Sequence, residues 1–287
     1  MKRKSGFNGV TMSFMVPYLE EIIKMFGRNI VYFTGDGGLH LKDIRPVKKL
    51  RNAKELVDYT LASYQVSPLK NVTALTSVSE RDIISEIERH LLEYPETDLR
   101  QKYVHFVLSE RCFKWLYEGE DRNRTYFWST APFHATQLFH YALNCPDQQK
   151  NLFRLYHQFL LLLSSDASAV RHAKWDAPIG TVKAKLAVKK VIARKKYKCL
   201  AKIYRLRLKK KNKKNIYTPE AIIIRCLEEQ AAGCAIIKTL FNCDYLYRNM
   251  PEFNRVEIEN LFTLTSAIEL FECGGSSLEK HVNDIFI

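Results

Sequence analysis

Asp36 marks the stretch of this chain that says most about possible chemistry. It stands in the turn Thr34-Gly35-Asp36-Gly37-Gly38, directly after the apolar run Ile30-Val31-Tyr32-Phe33. Glycines at a strand end permit positive φ and let a phosphate or sugar approach the backbone closely. The same residues also spell a plain chain reversal, and the turn by itself does not choose between the two. A second concentration of charge, Glu118 to Arg124 (E-G-E-D-R-N-R), lies between Trp115, Tyr117, Tyr126, Phe127 and Trp128. Carboxylates and guanidiniums this close can hold a metal, a phosphate or an acidic substrate, or can pair with one another and cap two helices at a hinge. Pro132-Phe133 opens a stretch that ends at Pro146, with Lys150 four residues later; alone it reads as an ordinary amphipathic helix.

The elements that must carry these residues follow from periodicity and punctuation. The apolar run at 30–33 predicts a strand buried on both faces, as in a parallel sheet, and is the only strand expected. Residues 12–26 predict a helix after Pro17, with Leu19, Ile22, Ile23 and Phe26 on one face and Gly27 closing it. The rest reads as helix: Glu55 to Tyr64, Ser79 to Tyr94, Lys102 to Glu118, Pro132 to Asn144 and Asn151 to Leu163. Ser79 with Asp82 three residues on is a capping signal, and Pro95 ends that helix. A boundary falls at Asp176 to Gly180. A basic helix follows, then helices at Pro219 to Phe241 and Glu252 to Phe271, and a Gly274–Ser277 loop before the tail. The expected fold class is mainly α with a small parallel β remnant.

Together, the Thr34–Gly38 turn after its strand, the acidic/Arg segment, and the Pro132-Phe133 helix running to Pro146 and Lys150 resemble the synthetase domain of the asparagine synthetase family. The resemblance covers residues 10–180. Leu39 takes the place of the Asp that follows in the family's turn, His40 that of the Glu or Lys after it, and Ala135 that of the acid of its Pro-Phe-Leu-Asp element. The resemblance implies a truncated α/β adenine-nucleotide-hydrolase-like synthetase domain. It also implies an ATP-dependent carboxylate-to-amide ligase, which adenylates a carboxylate and displaces AMP with an amine, using ATP and Mg²⁺. On that basis Asp36 and Lys150 are catalytic, one positioning a reacting group and the other countering phosphate charge. Gly35, Gly37 and Gly38 then shape the nucleotide pocket. The family's Ser-Gly-Gly-x-Asp-Ser loop is not among the residues before the turn, where Ser5-Gly6-Phe7-Asn8-Gly9 stands, and Lys2 takes the place of the glutaminase cysteine. The expectation is a ligase domain that is incomplete and inactive as a lone chain, completed by a companion chain. A sheet remnant without its neighbours predicts self-association or co-assembly.

Charge is distributed unevenly. Of 45 Lys and Arg residues, 16 lie between Thr181 and Asn215, a segment with no acid, leaving 29 against 31 acidic residues elsewhere. The organisation expected is a synthetase-like unit at 1–180, a basic helical connector at 181–215 and a helical extension at 216–287. Within Lys183–Lys214, Val188, Val191, Ile192, Cys199, Ile203 and Leu206 form an imperfect apolar stripe. That pattern fits a solvated connector. It also supports an alternative function, a non-catalytic module that contacts an acidic partner, a membrane surface or nucleic acid. Seven scattered cysteines without a CxxC pair argue for reduced thiols in a cytoplasmic protein and against a zinc site. No metal site is expected from the eight histidines, whose spacings match no ligand motif; His105 reads as a core histidine. The longest apolar run, Phe159–Leu163, is too short to span a membrane.

Overall fold

A computed structural model describes residues 15–116, 118–196, 219–249 and 253–272. It is mainly helical with one small parallel sheet. Helix α1 (Met15–Phe26) ends at Gly27, whose φ of +75° is a backbone conformation glycine adopts without strain. Leu19 is fully buried, and Ile22 and Ile23 pack beside it with Tyr126, Phe127 and Tyr32. Phe26 departs from the expected apolar face and is exposed.

Strand β1 (Val31–Phe33) is not alone. It pairs in parallel with β2 (Trp128–Thr130), in the register Val31↔Trp128, Tyr32↔Ser129, Phe33↔Thr130. Nor is β1 buried on both faces. Helix α1 covers the face bearing Tyr32, while Val31 (54 %), Phe33 (67 %) and Trp128 (63 %) stay exposed on the other. The apolar run is long enough for a two-faced strand, but among the described residues no second layer reaches it.

Helices α2 (Ala53–Tyr64), α3 (Leu69–Leu75), α4 (Glu80–Glu93) and α5 (Leu99–Phe106) follow a short 3₁₀ turn at Gly38–Leu41. Asn52 caps α2 by accepting from Glu55 N at 2.9 Å, and Ser79 caps α4 by accepting from Asp82 N at 3.1 Å. Leu56, Val57, Leu91, Tyr103 and Val107 form the core shared by these helices. The expected helix at Lys102–Glu118 begins earlier and changes form, because Val107–Leu116 winds as a π-helix. Helix α6 (Glu118–Arg124) then replaces the expected charged loop and leads into β2.

Beyond β2, Ala135 divides the expected Pro132 helix into a 3₁₀ turn (Pro132–His134) and α7 (Thr136–Asn144). A short α8 (Asp147–Lys150) meets α9 (Arg154–Leu163) through Leu152 and Phe153, both in the left-handed region. Helix α10 (Ser165–Ala169) precedes the basic helix α11 (Val182–Lys196), which buries Ala184 and Val188. The rest of the basic segment, with Cys199, Ile203 and Leu206, lies outside the described residues.

The expected Pro219–Phe241 helix breaks at Cys234 into α12 (Pro219–Gly233) and α13 (Ala235–Leu240). Helices α14 (Cys243–Asn249) and α15 (Arg255–Glu272) complete the described chain. A buried polar seam joins α12 to α15: Gln230 Nε2 donates to Ser266 at 2.9 Å and Glu269 at 3.0 Å, and Gln230 Oε1 accepts from Thr265 at 2.7 Å. These helices do not stand apart from the first part of the chain. Leu75 joins their core, Asn242 N donates to Leu75 O at 2.7 Å, and Glu257 accepts from Ser67 at 2.7 Å and Asn71 at 3.4 Å. Cys112, Cys145, Cys226 and Cys234 are buried, and Cys243 is partly so. No helix of the described residues is long and apolar enough to cross a membrane.

Candidate functional site

The parallel register sets the turn after β1 beside the element after β2, because both strands point the same way. Thr34 N donates to Thr130 O at 3.0 Å and carries the pairing into the turn. Glu120, fully buried on α6, ties the two strand ends together by accepting from Ser129 Oγ at 2.5 Å and from Thr34 Oγ1. Asp36 sits over this junction. Burial and the nearby Glu120 carboxylate raise its pKa, against the opposing pull of His134 and Arg122. Arg122 is 7 % exposed, and its Nε and Nη1 are buried with no hydrogen-bond partner. A Cβ at Gly119 would lie 3.6 Å from both Arg122 Nη2 and Asp36 Oδ2, so these charges face each other across that glycine.

The glycines of the turn serve packing. Gly37 has φ +87°, and a Cβ there would come within 2.1 Å of His134 Nε2. Gly38 faces the Phe133 ring at 3.8 Å; Gly35 alone has open space beside it. The backbone surface expected to receive phosphates is therefore covered by the Pro132–His134 turn at Gly37 and Gly38 and open at Gly35. The same imidazole reaches Cys112 on the π-helix, with Sγ 3.8 Å from Nε2. Burial and Asp36 push the Cys112 thiol up, which keeps it protonated and unsuited to nucleophilic attack. Burial lowers the His134 pKa in turn, with Asp36 and Glu120 opposing. No short motif marks Cys112, His134 or Arg122 as neighbours of Asp36; parallel pairing of two strands almost a hundred residues apart brings them together.

Lys150 does not join this group. It is buried at the end of α8, donates to Leu143 O at 3.3 Å, and faces a different space, a cavity of about 370 Å³. Residues 40–45, the α4–α5 connection with the start of the π-helix, and α7–α8 form the walls. Burial lowers the Lys150 pKa, with Asp147 opposing. Arg45 grips Asp43 through two bonds of 2.9 Å and also pairs with Asp147. His105, expected as a core histidine, is half-buried, stacked on Tyr94 and bonded to Glu96 at 2.7 Å. His40, 1 % exposed, stands between the two regions and feels both His134 and Lys150. Burial pushes its pKa down to about 4; the Gly37 backbone opposes this, yet neither ring nitrogen has a hydrogen-bond partner of good geometry.

On their own, these residues do not complete the nucleotide and metal site that the resemblance implies. The Gly37 surface is filled, Glu120 spends its oxygens on Thr34 and Ser129, and Lys150 shares no wall with Asp36. Among the described residues, no group of three or more His, Cys, Asp or Glu side chains is placed to hold a metal ion. Comparison of the chain with protein-family models, curated proteins and solved structures found no match.

Proposed function

We propose that this chain is the C-terminal part of an asparagine-synthetase-like synthetase domain, belonging to an ATP-dependent carboxylate-to-amide ligase and incomplete on its own. The observation that carries the reading is the β1–β2 register. It gathers the Gly-rich turn, the acidic/Arg segment and the Pro132 element at one end of a parallel sheet, where α/β folds place their ligands. In this reading Asp36 positions a reacting group, Arg122 supplies positive charge beside it and Glu120 holds both strand ends in place. The bare sheet face at Val31, Phe33 and Trp128 is where the missing layer docks.

Pyrophosphate release from ATP with Mg²⁺, aspartate and ammonium tests the proposal. The lone chain is expected to release none. Combined with a companion carrying a Ser-Gly-Gly-x-Asp-Ser segment, sought first in the coding sequence immediately upstream, it is expected to release pyrophosphate, and Asp36→Asn to stop it. Release by the lone chain overturns its incompleteness. A complex that forms and stays silent overturns the ligase reading.

A further inference from the structure

The cavity beside His40 has balanced charge and uncommitted polar groups. Lys42, Arg45 and Lys150 line it, opposed by Asp43, Glu96 and Asp147. Arg45 engages both aspartates. Glu96 uses Oε1 on His105, while its Oε2 is buried without a partner. Lys150 makes one hydrogen bond of the three an ammonium can donate, and Lys42 only leans over the Phe153 ring, 5.6 Å from its centre. The α4–α5 side thus holds a carboxylate whose second oxygen is covered and unpartnered, and the other two sides hold spare ammonium donors. Between them lie Val104, Leu108, Phe113, Phe139 and Leu143.

Buried polar atoms without partners are costly, and a polar ligand beside them relieves that cost. A wall of zero net charge with separated signs gives little to a simple anion and much to a molecule carrying both charges. The volume is that of a small-ligand site. We propose that this cavity binds a small zwitterion with an apolar side chain, such as a free amino acid of leucine or phenylalanine size. Its ammonium faces Glu96, its carboxylate faces Lys150 and Lys42, and its side chain lies on Phe113, Phe139 and Leu143. Asp36 is not on these walls, so the proposal stands apart from the ligase reading.

Isothermal titration of the full chain tests it, with L-phenylalanine, 3-phenylpropionate, 2-phenylethylamine and inorganic phosphate as separate probes. L-Phenylalanine is expected to bind one to one, and each single-charge analogue at least about tenfold more weakly. Glu96→Gln is expected to weaken phenylalanine and leave 3-phenylpropionate unchanged. Lys150→Met is expected to weaken both and leave 2-phenylethylamine unchanged. Leu143→Trp, at a partly exposed position, fills the cavity from its rim and is expected to remove binding with the helical circular dichroism intact. Equal affinity for phenylalanine and 3-phenylpropionate, displacement of phenylalanine by phosphate, or no saturable heat with any probe overturns the proposal, whatever the pyrophosphate assay shows.

Discussion

The His134 imidazole lies on the backbone of Gly37, in the space a side chain there would occupy. A left-handed φ and a filled approach together explain why this position takes glycine. Gly37→Ala meets both obstacles and is expected to cost ~2–4 kcal/mol in urea unfolding. In the His134→Ala background the collision is gone and only the backbone strain remains, so the same substitution is expected to cost about half as much.

Asp36, exposed yet partly desolvated beside Glu120, is expected to weaken the fold at neutral pH. Its folded pKa lies above the ordinary 3.8 because burial and Glu120 disfavour the charged form. The folded state therefore holds its proton to higher pH than the unfolded chain, and stability falls as pH rises through the folded value. Below 3.8 the penalty vanishes. Asp36→Asn is expected to be more stable than the wild type at pH 7 and to lose that advantage in acid. Equal stability at pH 7 would contradict the assignment.

His40 works in the opposite sense with respect to acid. It is neutral in the fold down to about pH 4, whereas the unfolded chain protonates near 6.5. Stability is lost as pH falls between those values, about 2 kcal/mol from this residue between pH 7 and pH 5. His40→Phe keeps a ring against Phe139, 4.8 Å away in the wild type, and is expected to remove that loss. Urea midpoints of both proteins at the two pH values measure it.

The uncovered sheet face should govern solution behaviour. Val31, Phe33 and Trp128 present apolar surface on a strand pair with free edges. The wild-type chain is expected to self-associate or co-assemble in light scattering, and Val31→Lys with Phe33→Lys to reduce its apparent mass. A monodisperse wild-type monomer would count against the missing layer.

Local physics was readable where neighbours in sequence decide the outcome. Gly27 closes α1 and Ser79 caps α4 because those effects are settled within four residues. Strand β2 went unseen because Trp128-Ser129-Thr130 is too short to show a period, and only pairing with β1 makes it a strand. The π-winding of Val107–Leu116 leaves no mark in its apolar spacing. Asp36 was found as a candidate because a turn motif names it. Its neighbours Arg122, His134 and Cys112, and the cavity that takes Lys150 away from it, depend on contacts between distant segments.

Glu257 gives the last helices a standing that a boundary at residue 216 would miss. Its carboxylate holds Ser67 and Asn71 on one side and the Asn254 amide, at 2.6 Å, on the other. Leu75 shares a core with Leu227, Leu246 and Phe262. Helix α3 and the C-terminal helices are therefore expected to melt as one cooperative unit. Cutting the chain at 216 to obtain a smaller protein would strip the floor from beneath Leu69–Leu75, and the truncation would damage the part it was meant to isolate.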